Sequence, residues 1–237
     1  MSAAADLSDR LRLHTFPDAE ALAEALAGEV AARLRAAVSA RGEAALALSG
    51  GNTPRRFLQR LSAQALDWAR VAVTLVDERW VPADHDRSNA RLVSQLLLHG
   101  PAAAARLIPL YRPLPAPEAA LAEVERDLPA TIDVAVLGMG TDGHTASFFP
   151  GGDRLDDALD PATPARVLPM RAPGAGEPRI TLTLAALLAV PHLYLHIEGE
   201  EKRAVLRRAL GGEGQEAALP IRAVLAQAEP VATYYCP

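Results

Sequence analysis

Lysine is almost missing from this 237-residue chain: its 24 basic side chains are 23 arginines and one lysine, Lys202. A lone compact ammonium in a sequence that otherwise uses guanidinium marks position 202 as a candidate point charge, against the plainer reading of a lysine retained by chance on a solvated helix. Cysteine is as scarce. Cys236 is the only one, which excludes an intrachain disulfide and any CxxC metal or redox site. Excess positive charge is also absent. The 29 acidic side chains leave a net charge of −5, spread without the basic stripe that neutralises a phosphate backbone, so nucleic acid is not an expected partner. Long apolar runs are lacking too: the longest, Leu182 to Val190, stops at Pro191, short of the ~20 residues that cross a bilayer. Asp6, Asp9, Asp18 and Glu20 occupy the region where a signal peptide would carry its apolar core. These absences lead to the expectation of a cytoplasmic protein with no membrane partner.

What is present is an ordinary globular composition, 50% hydrophobic and 22% charged. Short apolar runs alternate with helical patterns to the end of the chain. No linker long enough to separate domains interrupts them, so a single domain over 1–237 is expected. The alternation reads as α/β with a mostly parallel sheet. Candidate strands are Ala44–Ser49, Val71–Asp77, Ile132–Leu137, Leu193–Glu198 and Val231–Tyr235, nearly continuous in apolar residues as suits strands covered on both faces. Candidate helices are Asp18–Arg41, Pro54–Ser62 with Thr53 as its cap, Ser88–Leu98, Ala116–Asp127 and Gly199–Leu210. Residues 100–117 and 150–179 read as Pro/Gly-rich connections.

Three phrases stand where strands end and helices begin, the edge at which open α/β sheets bind ligands. In Ser49-Gly50-Gly51-Asn52-Thr53-Pro54 the glycines permit close backbone approach, and the following helix start offers free N–H groups to an anion. In Asp77-Glu78-Arg79-Trp80-Val81-Pro82, followed by Ser88-Asn89, strand alternation directs Asp77 and Arg79 to one side and Glu78 to the other. In Gly138-Met139-Gly140-Thr141-Asp142-Gly143-His144, a histidine able to exchange a proton near neutral pH sits on a glycine-rich turn beside Asp142. The GxGxxG spacing at Gly138, Gly140 and Gly143 formally suggests a dinucleotide site, but Phe148-Phe149-Pro150-Gly151-Gly152 leaves no room for the long helix that such a site opens. His192, Tyr194 and His196 share one strand face without a third metal ligand, so no metal is expected. A serine nucleophile lacks its GxSxG elbow.

Taken in order, LSGGNTP at 48–54, DERWVP at 77–82 with SN at 88–89, LGMGTDGHTASFFPG at 137–151, RITLT at 179–183 and EEK at 200–202 resemble the 6-phosphogluconolactonase family. The resemblance implies a modified Rossmann-like fold similar to glucosamine-6-phosphate deaminase and ribose-5-phosphate isomerase, with helices flanking a mostly parallel sheet. It implies metal-free hydrolysis of 6-phospho-D-glucono-1,5-lactone to 6-phospho-D-gluconate, with no cofactor and a small phosphorylated sugar lactone as partner; monomer and small homo-oligomer stay equally open.

On that reading His144 is the base that activates water and returns the proton, with either Asp77 or Asp142 orienting it. Oxyanion donors are the backbone around Gly138–Gly143 or the Gly50–Gly51 turn. Substrate-binding candidates are Gly50, Gly51, Asn52, Thr53, Arg79, Asn89, Gly143, Arg179 and Lys202, the cations gripping phosphate. Asn52 stands where serine is common, and Gly176-Glu177-Pro178 precedes Arg179 where the family often has basic residues. The alternatives are glucosamine-6-phosphate deaminase, which places a glutamate where this chain has Phe149, a sugar-phosphate-sensing regulatory domain of the same fold, and a nicotinamide dehydrogenase.

Overall fold

The all-apolar runs lie side by side as the centre of a seven-stranded parallel sheet in the computed structural model, which describes residues 7–211, 218–226 and 229–237. Its strands are β1 (Leu11–Thr15), β2 (Ala44–Leu48), β3 (Val71–Leu75), β5 (Arg106–Leu107), β6 (Val134–Leu137), β9 (His192–Glu198) and β10 (Val231–Cys236), in the order β1-β10-β9-β6-β2-β3-β5. Every residue of β2 and β6 is buried, as expected of parallel strands covered on both faces. From β2 the chain proceeds to β3 on one side, and from β6 to β9 on the other. Neighbouring strands whose connections diverge leave a crevice at their carboxyl ends.

The helices are α1 (Ala19–Arg41), α2 (Arg55–Ser62), α3 (Asn89–Leu96), α4 (Leu121–Asp127), α5 (Leu155–Leu159), α6 (Leu184–Leu188), α7 (Glu200–Gly211) and α8 (Ile221–Leu225). Helix α1 shows the logic of these elements. Asp18 caps it by accepting from the Ala21 N–H at 2.8 Å, and Gly42 ends it in the left-handed region at φ 83°. Between them Leu22, Leu26, Val30 and Leu34 fall at i, i+4 spacing and are fully buried. Before α4, the first part of the expected Ala116–Asp127 helix is a 3-10 turn at Pro117–Ala120.

One expected strand divides. Val71–Asp77 was a single apolar run on paper, but the chain leaves the large sheet at Val76 and β4 (Asp77–Arg79) joins a separate antiparallel sheet, β4-β8-β7, with β8 (Arg179–Leu182) and β7 (Val167–Met170). Val76 serves both sheets: its N–H donates to Leu48 O at 3.0 Å, and its carbonyl accepts from Leu182 N at 2.8 Å. The smaller sheet occupies part of what reads as the 150–179 connection. Pro169 inside β7 and the shortness of β4 conceal both strands from a periodicity reading.

Glu78 fixes β4 to the start of α3. Its buried carboxylate accepts from the N–H groups of Arg79, Asn89 and Ala90, each at 2.8 Å, and from Ser88 Oγ at 3.1 Å. Burial pushes its pKa up, and those backbone N–H groups oppose the rise. An unmet buried donor costs ~1–3 kcal/mol, so Glu78→Ala is expected to lose at least ~3 kcal/mol in urea unfolding, and Glu78→Gln less. An alanine variant unfolding at the parent's urea midpoint would contradict this anchoring role.

Candidate active site

The turn after β2 is forced close to its neighbours. A Cβ on Gly50 would stand 1.8 Å from Asn89 Oδ1, so only glycine lets the turn pass the first residue of α3. Asn89 in turn donates from Nδ2 to Asp77 O at 2.9 Å. Gly51 takes φ 91°, and Ser49 Oγ accepts from Gly138 N at 3.0 Å, tying the turns that follow β2 and β6. Helix α2 begins at Arg55 with no side-chain cap. Thr53 therefore does not cap it as expected; its Oγ1 accepts from Lys202 Nζ at 2.8 Å instead. Among the described residues, no backbone acceptor takes the N–H of Gly50, Gly51, Asn52 or Thr53.

The turn after β6 is wound on itself. Gly140 N donates to His144 O at 2.9 Å and Gly143 N to Gly140 O at 3.1 Å. With Gly138 N engaged by Ser49, all three glycine N–H groups are bonded within the protein, so an oxyanion donor from this turn would have to come from its other residues. Gly143 itself lies outside the cleft. It is needed for its φ of 76° and for the nearness of Leu219, which a Cβ would meet at 2.8 Å. No long helix follows: the next one, α5, has five residues and starts at Leu155, so the glycines lack the helix of a dinucleotide site.

His144 Nδ1 lies 2.5 Å from Asp142 Oδ1, and Gly140 provides the floor, since a Cβ there would stand 2.3 Å from the imidazole. An ionised carboxylate only accepts, so the proton sits on Nδ1 and Nε2 is left with a free lone pair. The Phe149 ring packs at 4.4 Å between centroids. The imidazole side chain is 31% exposed, open enough for water to reach it. The hydrogen bond from His144 holds the Asp142 carboxyl below the usual range, against a smaller opposing effect of burial. Of the two acids weighed for orienting His144, Asp142 occupies that place. Asp77 is engaged elsewhere, accepting from Ser147 Oγ at 2.6 Å with Arg179 Nη1 3.7 Å away.

In the small sheet Arg79 pairs directly with Arg179, and Asp77 with Thr181. Arg79 Nη1 donates to Arg87 O and Arg179 Nη2 to Ala175 O, both at 2.6 Å. Each guanidinium keeps a buried Nε without a partner. Arg179 also lies over the Phe149 ring at 5.2 Å. Burial pushes the pKa of Arg179 down, with Asp77 opposing; burial does the same to Lys202, with Glu198 and then Glu201 opposing. Two neighbouring cations with unused donors suit an anion.

These parts line one cleft of about 210 Å³. Of the expected site residues, Gly50, Gly51, Asn52, Thr53, Asp77, Arg79, Asn89, His144, Arg179 and Lys202 border it. Asp142 stands behind His144, and Gly143 is excluded. Two participants escaped the sequence reading. Ser147 lay inside a quoted phrase without a role, and His196, which lines the cleft, was placed on a strand face with no indication of what that face meets. Among the described residues, no group of three or more His, Cys, Asp or Glu is arranged to hold a metal ion, and no helix is long and apolar enough to cross a membrane.

A family model described as glucosamine-6-phosphate isomerases/6-phosphogluconolactonase matches residues 17–233. A 6-phosphogluconolactonase of Rhizobium meliloti is 55% identical over 229 residues, covering 95% of this chain and 98% of that protein. The crystal structure of a 6-phosphogluconolactonase from Shewanella baltica superposes with a TM-score of 0.93 at 40% identity, covering 98% of this chain and 100% of the other. A glucosamine-6-phosphate deaminase structure shares the fold at a TM-score of 0.72 and 18% identity, over 95% of this chain and 97% of the other.

The lowered pKa of Asp142 makes its pairing a pH-dependent contribution. It is complete above the unfolded carboxyl value of about 3.9 and is lost as pH falls through the lowered folded value. In His144→Ala the Asp142 carboxyl is expected to titrate higher, toward its ordinary range, in a carbon-13 NMR titration. An unmoved titration would show that the imidazole is not what holds it down.

Proposed function

The chain belongs to the glucosamine-6-phosphate isomerase/6-phosphogluconolactonase family and is an enzyme of the 6-phosphogluconolactonase kind, and we propose that His144 is the general base of its reaction. That reaction opens the ring of 6-phospho-D-glucono-1,5-lactone with water, giving 6-phospho-D-gluconate in the pentose phosphate pathway. The observation that carries the assignment of His144 is its pairing with Asp142 in the cleft that also holds Arg79, Arg179 and Lys202.

The free Nε2 of His144 takes a proton from water as the oxygen bonds to the lactone carbonyl carbon. The carbonyl electrons move onto the oxygen, and the unpaired N–H groups of Gly50 and Gly51 receive that charge. The tetrahedral intermediate then collapses, the bond to the ring oxygen breaks, and Nε2–H delivers its proton to that oxygen. One imidazole serves both halves and finishes neutral. Asp142 keeps the proton on Nδ1 and stabilises the transient imidazolium. Lys202, Thr53 and the Asn52–Thr53 N–H groups grip the phosphate, with Arg79 and Arg179 completing the cationic rim. The deaminase alternative is disfavoured by Phe149, whose ring stands against His144 where a carboxylate base for a carbon acid would be required.

His144→Ala is expected to lower kcat by at least ~10²-fold with the fold intact, and Lys202→Met to raise KM for the phosphorylated lactone ~10-fold or more with little change in kcat. The assay follows acid release from the lactone after subtraction of spontaneous opening, alongside ammonia release from glucosamine 6-phosphate, which should be nil. Near-parental turnover by His144→Ala would remove the imidazole from the mechanism.

A further inference from the structure

Asp77 is a buried acid of the cleft that the reaction above does not use, and its neighbour Glu78 shows how little of its hydrogen-bonding capacity the protein meets. A carboxylate offers about four acceptor positions. The N–H groups of Arg79, Asn89 and Ala90 and the hydroxyl of Ser88 all donate to Glu78. Among the described residues the Asp77 carboxylate accepts from one donor, Ser147 Oγ, 2.6 Å from Oδ2. Arg179 Nη1 stands 3.7 Å from the same oxygen, close enough to attract it but beyond hydrogen-bond reach. Oδ1 takes no protein donor, and it is not among the buried atoms sealed off without a partner. Asp77 borders the cleft, which is the space left for that oxygen to face.

The serine is held firmly over the acid. Ser147 is fully buried, its N–H donates to Thr181 Oγ1 at 3.2 Å, and Thr181 is the residue paired with Asp77 across β4 and β8. An acid needed only to neutralise Arg179 would close to hydrogen-bonding distance, because a buried ion pair offsets its desolvation only with good geometry and filled lone pairs. Here the close contact is with Ser147 instead, and a buried acceptor left short of donors is costly. Arg79 and Arg179 bring unused donors to the same cleft, and Asp77 brings an unused acceptor. Cationic donors suit a phosphate; a carboxylate oxygen suits a group that must donate, such as a sugar hydroxyl.

We infer that Asp77 Oδ1 accepts a hydrogen bond from a ring hydroxyl of the lactone, and that Ser147 is the positioning residue that holds the carboxylate for it. Asp77 is then a specificity-determining residue that reads the sugar's hydroxyls, separate from the cations that read its phosphate. The inference rests on the lactone occupying the cleft beside His144.

The test measures kcat/KM for 6-phosphogluconolactone and for its 2-deoxy, 3-deoxy and 4-deoxy analogues, prepared from the corresponding deoxyglucose 6-phosphates, in the parent, Asp77→Ala, Asp77→Asn and Ser147→Ala. The parent is expected to lose ~10-fold or more on one of the three analogues, the one lacking the hydroxyl that Asp77 holds. Asp77→Ala should lose about as much on the complete lactone and no longer distinguish it from that analogue, the coupling expected of two groups in contact. Asp77→Asn, which keeps the shape but is a weaker acceptor, and Ser147→Ala, which frees the carboxylate, should each distinguish the two less than the parent does. A parent that treats all four lactones alike would overturn the role. So would an equal loss on all four in Asp77→Ala, the pattern of an acid that serves only Arg179, since every probe carries the phosphate. The parent series and Asp77→Asn keep the test decisive should Asp77→Ala fail to fold. Near-parental turnover of the complete lactone by His144→Ala is a separate result, which would sink the placement of the lactone in this cleft and the inference with it.

Discussion

At the carboxyl edge of β2 and β6 there is no space for two methyl groups. A Cβ at position 50 would collide with the Asn89 carboxamide, and one at position 140 with the His144 ring and the Asp142 carboxylate. Two missing side chains thus let the turns after neighbouring strands fold down onto the functional groups around them. The Ser49 Oγ bond to Gly138 N locks those turns together. One turn carries the His144–Asp142 pair and the other the unpaired N–H groups of Gly50 to Thr53, and the two strands that they follow are adjacent, about 4.8 Å apart.

The charge balance follows from the same crowding. Arg79 and Arg179 face each other across β4 and β8, an arrangement that is unfavourable for like charges directly opposite. Asp77 offsets part of this and Phe149 lies against Arg179, yet each guanidinium retains an unused buried Nε. The wall of the cleft thus carries two guanidinium groups whose hydrogen-bonding capacity the protein does not meet, an arrangement complementary to an anion. Glu78, one residue away, contributes none of that balance to the cleft. Alternation turns it to the other side, where backbone N–H groups and Ser88 consume its acceptors.

How much of this was legible in the sequence depends on whether a residue's role is set locally. β2 and β6 were readable because strands buried on both faces are apolar throughout, and Ser88 caps α3 as its position suggests, accepting from Arg91 N. The small sheet was hidden because its partners come from distant segments: nothing near Asp77 says that it will pair with Thr181. Thr53 shows the same limit. Its neighbours favour a helix cap, but a lysine 149 positions away claims its hydroxyl. The glycines of 138–143 are marked as special by their spacing, but spacing reveals where backbone must bend and not where its hydrogen bonds end: their own N–H groups are bonded within the protein. Asp142 and Asp77 were indistinguishable on paper for a similar reason. Only Ser147 and Arg179, both far from Asp77 in sequence, show that Asp77 is otherwise occupied.

The two acid–histidine pairs, one on the turn after β6 and one on β9, illustrate how placement sets what an imidazole can do. In both, a carboxylate two residues away accepts from a ring nitrogen, so each imidazole is oriented and its remaining nitrogen defined. For His144 the carboxylate takes Nδ1, and the turn leaves the ring partly open to solvent. For His196 the carboxylate takes Nε2, Phe57 covers the ring, and the remaining nitrogen is sealed away from solvent. The first ring can exchange protons with its surroundings, while the second is fixed within the buried wall of the cleft. A glycine beneath one imidazole and an apolar helix face beside the other decide which ring stays accessible, although the two side chains are identical.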